Sequence, residues 1–328
     1  MKSNNLYIKI AGYLISIIFL YLTFNDTNFN IIVKHLYINN IYFLLIALIF
    51  YIAFFLIRAV YQINNLYFIK PDIPFLISFS SLGIAQFYNV IFPARLGEVI
   101  RAFFLSRKQG LNKASILSYI FIEKFLDMLV IFVLLLLIII LTTTDTELYN
   151  TLSLITILIL SITSFIIVYI RFNKHLLFVL DKFAPNSMHN YLANLNYEVL
   201  KGLSFYKTTG QVTRSILLLV FSWGIMLGVF WLVSYPYVKL LGMPFYSCLF
   251  FMIFSALSLC IPSAPAGIGV MHYGFLLSIK ILMGGTIVDS QINLVAAFVI
   301  NMHFIIMFLD VTTGGGIMVL YKIMSSKV

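Results

Sequence analysis

Charge is what this sequence has least of. Only 10% of its 328 residues are Asp, Glu, Lys or Arg, while 62% are hydrophobic; a soluble globular chain carries about a quarter charged residues. A mean hydropathy of +1.04 leaves no room for a large water-soluble domain, so residues 1–328 are expected to form a single integral membrane domain. Sustained alternation of polar and apolar residues is also missing, which removes barrel strands. Helices remain as the way to satisfy backbone polar groups in lipid, and the fold class expected is all-α, a polytopic membrane helix bundle. The two cysteines, Cys248 and Cys260, fall within one apolar span and carry no information about disulfides or redox compartment. No G-x-S-x-G, H-E-x-x-H or P-loop signature occurs.

Acidic residues are the scarcer charge, 11 against 21 basic, for a net charge of +10. The cations do not gather on one soluble face. They sit in short segments between apolar runs, the pattern of the positive-inside rule, so nucleic acid is not an expected partner. The same cations attract anionic lipid headgroups. Lys2 and Lys9 precede an apolar run that ends Thr23-Phe24-Asn25-Asp26 with no small-x-small cleavage site, which reads as an uncleaved first span.

Runs long enough to cross roughly 30 Å of hydrocarbon lie near 8–24, 41–62, 114–141, 150–170, 213–235 and 292–321, giving six expected full spans. Two further apolar regions are interrupted, 75–106 by Pro93 and Gly97, and 245–283 by Pro262, Pro265, Gly267 and Gly269. Segments 107–113 and 171–214 are rich in Lys and Arg and read as cytoplasmic. Segment 142–149 holds Asp145 and Glu147 without a cation and reads as outside. Both termini then fall in the cytoplasm, and 171–212 becomes a cytoplasmic amphipathic connection. In this layout the two interrupted regions are hairpins that enter from opposite faces, a pseudo-inverted repeat.

The interruptions match one another: Pro93-Ala94-Arg95-Leu96-Gly97 and Pro265-Ala266-Gly267-Ile268-Gly269 share Pro-Ala-x-aliphatic-Gly. Proline removes a backbone donor and glycine loosens the helix, so unpaired peptide groups arise at membrane depth. They are tolerated inside protein or against a wet cavity, where half-helix ends can meet a polar substrate. Ordinary kinks and packing contacts are the alternative.

An ionisable residue inside a span is costly and needs a partner. Arg95, Glu98 and Arg101 are spaced i, i+3, i+6, which puts Glu98 beside both arginines and leaves a net positive charge suited to phosphate. A helix-end ion cluster at the cytoplasmic boundary would have the same spacing. Glu123 and Asp127 share a face at i, i+4 and need a cation from Arg95, Arg101 or Arg58. His272 follows the second interruption, and His303 and Asp310 lie in the last run. The two histidines suit a proton relay or packing, and their spacing fits no zinc motif; no metal or cofactor is expected.

Phe92-Pro93-Ala94-Arg95-Leu96-Gly97-Glu98 with Arg101, then Glu123-Lys124-Phe125-Leu126-Asp127, then Pro262-Ser263-Ala264-Pro265-Ala266-Gly267-Ile268-Gly269, resemble the lysylphosphatidylglycerol synthase transmembrane family. These are flippase-like domains named for the N-terminal part of the multiple peptide resistance factor. The resemblance runs in span order along essentially the whole chain. It implies a bundle of about eight spans with re-entrant pieces that moves lipids or lipid-linked headgroups between leaflets. The family's second interruption usually reads Pro-Gly-Gly-x-Gly with an acidic residue three positions on. Here Ala266 replaces a glycine and His272 the acid, which argues against a cationic headgroup. The aminoacyl-transfer domain of full-length synthases is not among these residues, so the chain itself is not expected to make lysylphosphatidylglycerol.

The resulting expectation is a lipid transporter of the plasma membrane. Its binding residues would be Arg58, Pro93, Arg95, Gly97, Glu98, Arg101, Glu123, Asp127, Pro265, Gly267, Gly269, His272 and His303. Its partners would be membrane lipids, either an anionic phospholipid or a polyprenyl-linked headgroup. A homodimer and a separate synthase or glycosyltransferase partner stay open. So do two other functions, a membrane transferase acting on a lipid-linked donor and a non-catalytic companion of such an enzyme.

Overall fold

The computed structural model describes residues 2–36, 41–142, 189–203 and 208–326, together with 161, 164, 168 and 172. All regular structure among them is helical. The helices are α1 (Lys2–Phe24), α2 (Phe29–His35), α3 (Ile41–Leu66), α4 (Phe75–Ile91), α5 (Gly97–Gln109) and α6 (Lys113–Thr142). After them come α7 (His189–Leu203), α8 (Thr209–Leu240), α9 (Ser247–Ser258), α10 (Val270–Leu282) and α11 (Ile292–Ser325). The expected span 150–170, the outside segment 142–149 and most of the connection 171–212 lie outside the described residues.

Among the described residues, four helical stretches are long and apolar enough to cross a membrane: Ile41–Leu66, Thr209–Leu240, Pro265–Leu282 and Asp289–Ser325. The outward faces of α3 and α8 carry exposed Leu, Ile, Val and Phe while small and polar residues such as Ala47, Ser215 and Ser222 are buried, the reverse of a soluble helix and the arrangement lipid requires. Within the expected 171–212 connection, α7 runs beside the first turns of α6. The Ser115 hydroxyl meets Glu198, and Gly202 permits the approach, since a Cβ there would collide with the Ser115 carbonyl oxygen.

Each proline interruption folds into a single 3₁₀ turn, Pro93–Arg95 between α4 and α5 and Pro265–Gly267 before α10. Proline has no N–H to continue the ladder, and the last bond of α4 is Phe92 N–H to the Tyr88 carbonyl at 2.9 Å. The sequence match extends to backbone shape. The third position of each turn is left-handed, Arg95 at φ 54° and Gly267 at φ 71°. Among the described residues, Arg95 and Ala266 (φ 58°) are the non-glycine positions with positive φ, one in each turn.

The turns are the tips of two hairpins. In α4–α5, a Cβ on Gly97 would strike the Ala85 carbonyl and the Asn89 side chain; in α9–α10, a Cβ on Gly274 would strike Ser258 and lie 2.9 Å from the Phe254 carbonyl. The tips touch each other. Helix α11 acts as a ruler for their direction. Its first half lies along the second hairpin, with the His303 ring 4.3 Å from His272 and Phe298 4.7 Å from Phe251 and 6.3 Å from Phe275. Its second half lies along the first hairpin. There Gly314 fits against Gly83 and Phe87, Ile317 faces Gly83, and Tyr321 stands 5.4 Å from Phe104. The hairpins thus approach from opposite ends of a 34-residue helix, about 50 Å long, and meet near its middle, between His303 and Asp310.

Helix α1 packs across the second tip. The Ser16 hydroxyl accepts the Ala264 N–H at 2.9 Å, satisfying a donor freed by the interruption. Gly269 at φ 87° lies so close to α1 that a Cβ would collide with the Ser16 backbone.

Candidate functional site

Three helices turn polar faces towards one another beside the first tip. Helix α3 contributes Arg58 and Gln62 one turn apart, α5 contributes Glu98 and Arg101, and α6 contributes Tyr119, Glu123, Lys124 and Asp127. Arg58 forks onto Asp127 through both terminal nitrogens at 2.8 Å and reaches Glu123 at 2.9 Å. Arg101 forks onto Glu123 at 2.8 and 3.0 Å, bonds Glu98 at 3.1 Å, and donates its Nε to the Gln62 side-chain oxygen at 3.0 Å. The Tyr119 hydroxyl adds a bond to Glu123 at 2.5 Å, and the Trp223 indole N–H from α8 donates to Asp127 at 3.1 Å. Gln62 is fixed from behind, donating to the Ser78 and Ser81 hydroxyls at 2.9 and 3.0 Å. Arg58, Arg101 and Glu123 are all at most 4% exposed. A buried charge needs partners for its donors and lone pairs; here Arg101 directs all three nitrogens to Gln62, Glu98 and Glu123, and Arg58 directs both terminal nitrogens to Glu123 and Asp127.

This wiring corrects one sequence expectation. Glu98 does not bridge Arg95 and Arg101. Its second partner is Lys124, at 3.1 Å, because Arg95 sits in the left-handed 3₁₀ turn ahead of α5 and does not continue its face. Glu123 and Asp127 draw their cations from Arg58, Arg101 and Lys124. Among the described residues, no carboxylate comes within 4 Å of Arg95.

The network forms one wall of a cavity of about 470 Å³. The first tip supplies Phe92 and Arg95, and the second supplies Pro262, Ser263, Ala264, Ala266 and Gly267. Phe54, Leu82, Phe230 and Ile306 provide apolar walls, and Phe92 and Ile261, both lining residues, are 39% exposed. Asn89 also faces this space, its buried amide oxygen and nitrogen without hydrogen-bond partners. Further round the wall, Asp310 of α11 accepts a hydrogen bond from the Tyr51 hydroxyl.

A match to the family model described as the lysylphosphatidylglycerol synthase TM region spans residues 9–311. The chain belongs to this family. Comparison with curated proteins and with solved structures gives no match. As a member of the lysylphosphatidylglycerol synthase transmembrane family with several membrane-length apolar helices, it is a multi-pass membrane protein of a lipid-related family.

Of the residues singled out from sequence, Arg58, Arg95, Glu98, Arg101, Glu123, Asp127 and Gly267 line the cavity of this family member. Pro93, Gly97, Pro265 and Gly269 shape the turns without lining it. His272 and His303 stand behind the second tip. His303 Nε2 is 2.9 Å from the Ala266 carbonyl, and His272 Nδ1 accepts the Gly269 N–H at 3.2 Å, so both brace the turn. Tyr51, Gln62, Asn89, Trp223 and Asp310 were not singled out as site residues. Asp310 alone gave a signal, an intramembrane acid with no cation nearby in its own run.

Proposed function

We propose that this chain moves a phospholipid or lipid-linked headgroup between leaflets, the headgroup passing through the cavity between the hairpin tips while the acyl chains stay in lipid. The observation that carries this reading is Arg95, a cation facing a mid-depth cavity with no ion-pair partner within 4 Å among the described residues. A guanidinium left unmatched in lipid is expensive, and a phosphate is the ligand whose geometry suits it. Asn89 adds an unused donor and acceptor next to it. Arg58 and Arg101, ion-paired to Glu98, Glu123 and Asp127, act as the frame that holds the wall. Exposed Phe92 and Ile261 give the acyl chains an apolar exit.

The topology belongs to the same reading: six full spans and two re-entrant hairpins of opposite sense, in the plasma membrane, with both termini cytoplasmic. Contacts at the two ends of α11 support it. At one end Asn28 N–H bonds Asn293 and Tyr237 bonds the His35 carbonyl, all from segments the charge pattern puts outside. At the other end Lys108 lies over Tyr321 and Lys70 bonds the Gln109 carbonyl, all from segments it puts inside.

The test is translocation by purified protein in liposomes, using fluorescent phospholipids and dithionite quenching of the outer leaflet. Wild type should expose inner-leaflet lipid to dithionite, and Arg95→Gln should slow this about 10–100-fold, the worth of one charge-assisted bond. Liposomes that behave as protein-free ones across anionic and zwitterionic lipids would rule the reading out.

A further inference from the structure

Among the described residues, eight ionisable side chains other than cysteine and tyrosine line the cavity: Arg58, Arg95, Arg101, Lys124, Glu98, Glu123, Asp127 and Asp310. Six of them are paired within 4 Å, Arg58, Arg101 and Lys124 with Glu98, Glu123 and Asp127. Three positive and three negative charges cancel. Arg95 and Asp310 remain, one of each sign, on different elements and with no ion pair within 4 Å among the described residues. Both line the same cavity, Arg95 on the first tip and Asp310 on α11.

We propose that Asp310 takes up one proton when an anionic headgroup enters the cavity, making lipid binding, and with it translocation, proton-linked. The inference rests on the reading that the cavity admits a headgroup. With the cavity empty, Arg95 and the Asp310 carboxylate balance one another. A phosphate that docks on Arg95 consumes that balance. The carboxylate is then an uncompensated negative charge in a cavity whose walls include Phe54, Phe55, Leu82 and Ile306, and in apolar surroundings a group neutralises rather than stays ionised. The proton is taken from the buffered aqueous phase, leaving the buffer base behind, and rests on a carboxylate oxygen.

The groups facing Asp310 make it the acceptor. Helix α3 presents the Tyr51 hydroxyl, which donates to the carboxylate. A hydroxyl both donates and accepts, so the same contact persists after protonation with its direction reversed. Helix α4 presents the neutral Gln86, the first turn presents Arg95, and the end of α9 presents Cys260. On α11 itself His303 is two turns away and held by the Ala266 carbonyl, with His272 behind it. Among the described residues, every other carboxylate lining the cavity is paired with a cation.

The experiment measures binding of dihexanoylphosphatidylglycerol to purified full-length protein by calorimetry in two buffers of different ionisation enthalpy. Wild type should take up close to one proton per lipid bound, with affinity falling about tenfold per pH unit once Asp310 is ionised in the free protein. Asp310→Asn should bind with no proton uptake and no pH dependence, and Tyr51→Phe should shift the pH dependence while retaining uptake. Wild-type binding with no proton uptake, or full uptake retained in Asp310→Asn, overturns the proposal and leaves the headgroup reading standing. Absence of binding at any pH overturns both. Should Asp310→Asn fail to fold, the wild-type proton count still decides.

Discussion

Arg95 holds a backbone conformation that its side chain does not favour. At φ 54° an L-residue costs roughly 1–2 kcal/mol relative to glycine, and the matched position in the other hairpin is Gly267. Strain kept at a position whose side chain faces a cavity is a mark of function. Arg95→Gly is therefore expected to unfold at the same temperature as wild type or higher in detergent, while abolishing lipid translocation; a variant that loses both would make Arg95 structural. Glu123 is the opposite case. It holds Arg58 and Arg101 at once, so Glu123→Gln leaves two buried guanidiniums short of a charge and should cost about 3–5 kcal/mol, read as a large fall in melting temperature. The Glu98–Arg101 pair was legible because i, i+3 on one helix is a local rule. The Tyr51–Asp310 and Trp223–Asp127 contacts were not, since they join helices 259 and 96 residues apart and no spacing signals them.

The hairpins depend on close backbone approach. Gly269 combines φ 87° with the Ser16 backbone directly against its Cα, so Gly269→Ala meets both a disfavoured conformation and a clash that only moving α1 relieves. A loss of about 2–4 kcal/mol is expected, whereas Gly316→Ala, with open space around it, should be neutral within about 0.5 kcal/mol. Thermal unfolding of the two variants side by side checks this. The positions of the interruptions could be read from sequence because Pro and Gly act on their own backbone. That α1 covers the second tip could not, because Gly12 and Ser16 look like ordinary small residues of an apolar span until the partner helix is known.

The molecule places its polar chemistry near the middle of α11, where the two hairpin tips meet. The opposition was inferable from loop charges plus the repeated Pro-Ala-x-aliphatic-Gly pattern; the contact between tips and the place of Lys124 in the ion network were not, because both depend on how separate helices pack. If the cavity is wet, Cys260, which is exposed and lines it, should react with a charged methanethiosulfonate reagent in a Cys248→Ser background. Anionic phospholipid should slow that reaction several-fold. Buried Cys248 should stay unmodified in the wild-type protein.

A cryo-electron microscopy map of the full chain in nanodiscs of a single anionic phospholipid would be the sharpest test. The expected result is a headgroup density between the two tips within bonding distance of Arg95, with chain density leaving past Phe92 and Ile261. Headgroups confined to the two bilayer surfaces, with the tips closed on each other and Arg95 turned away, would contradict it.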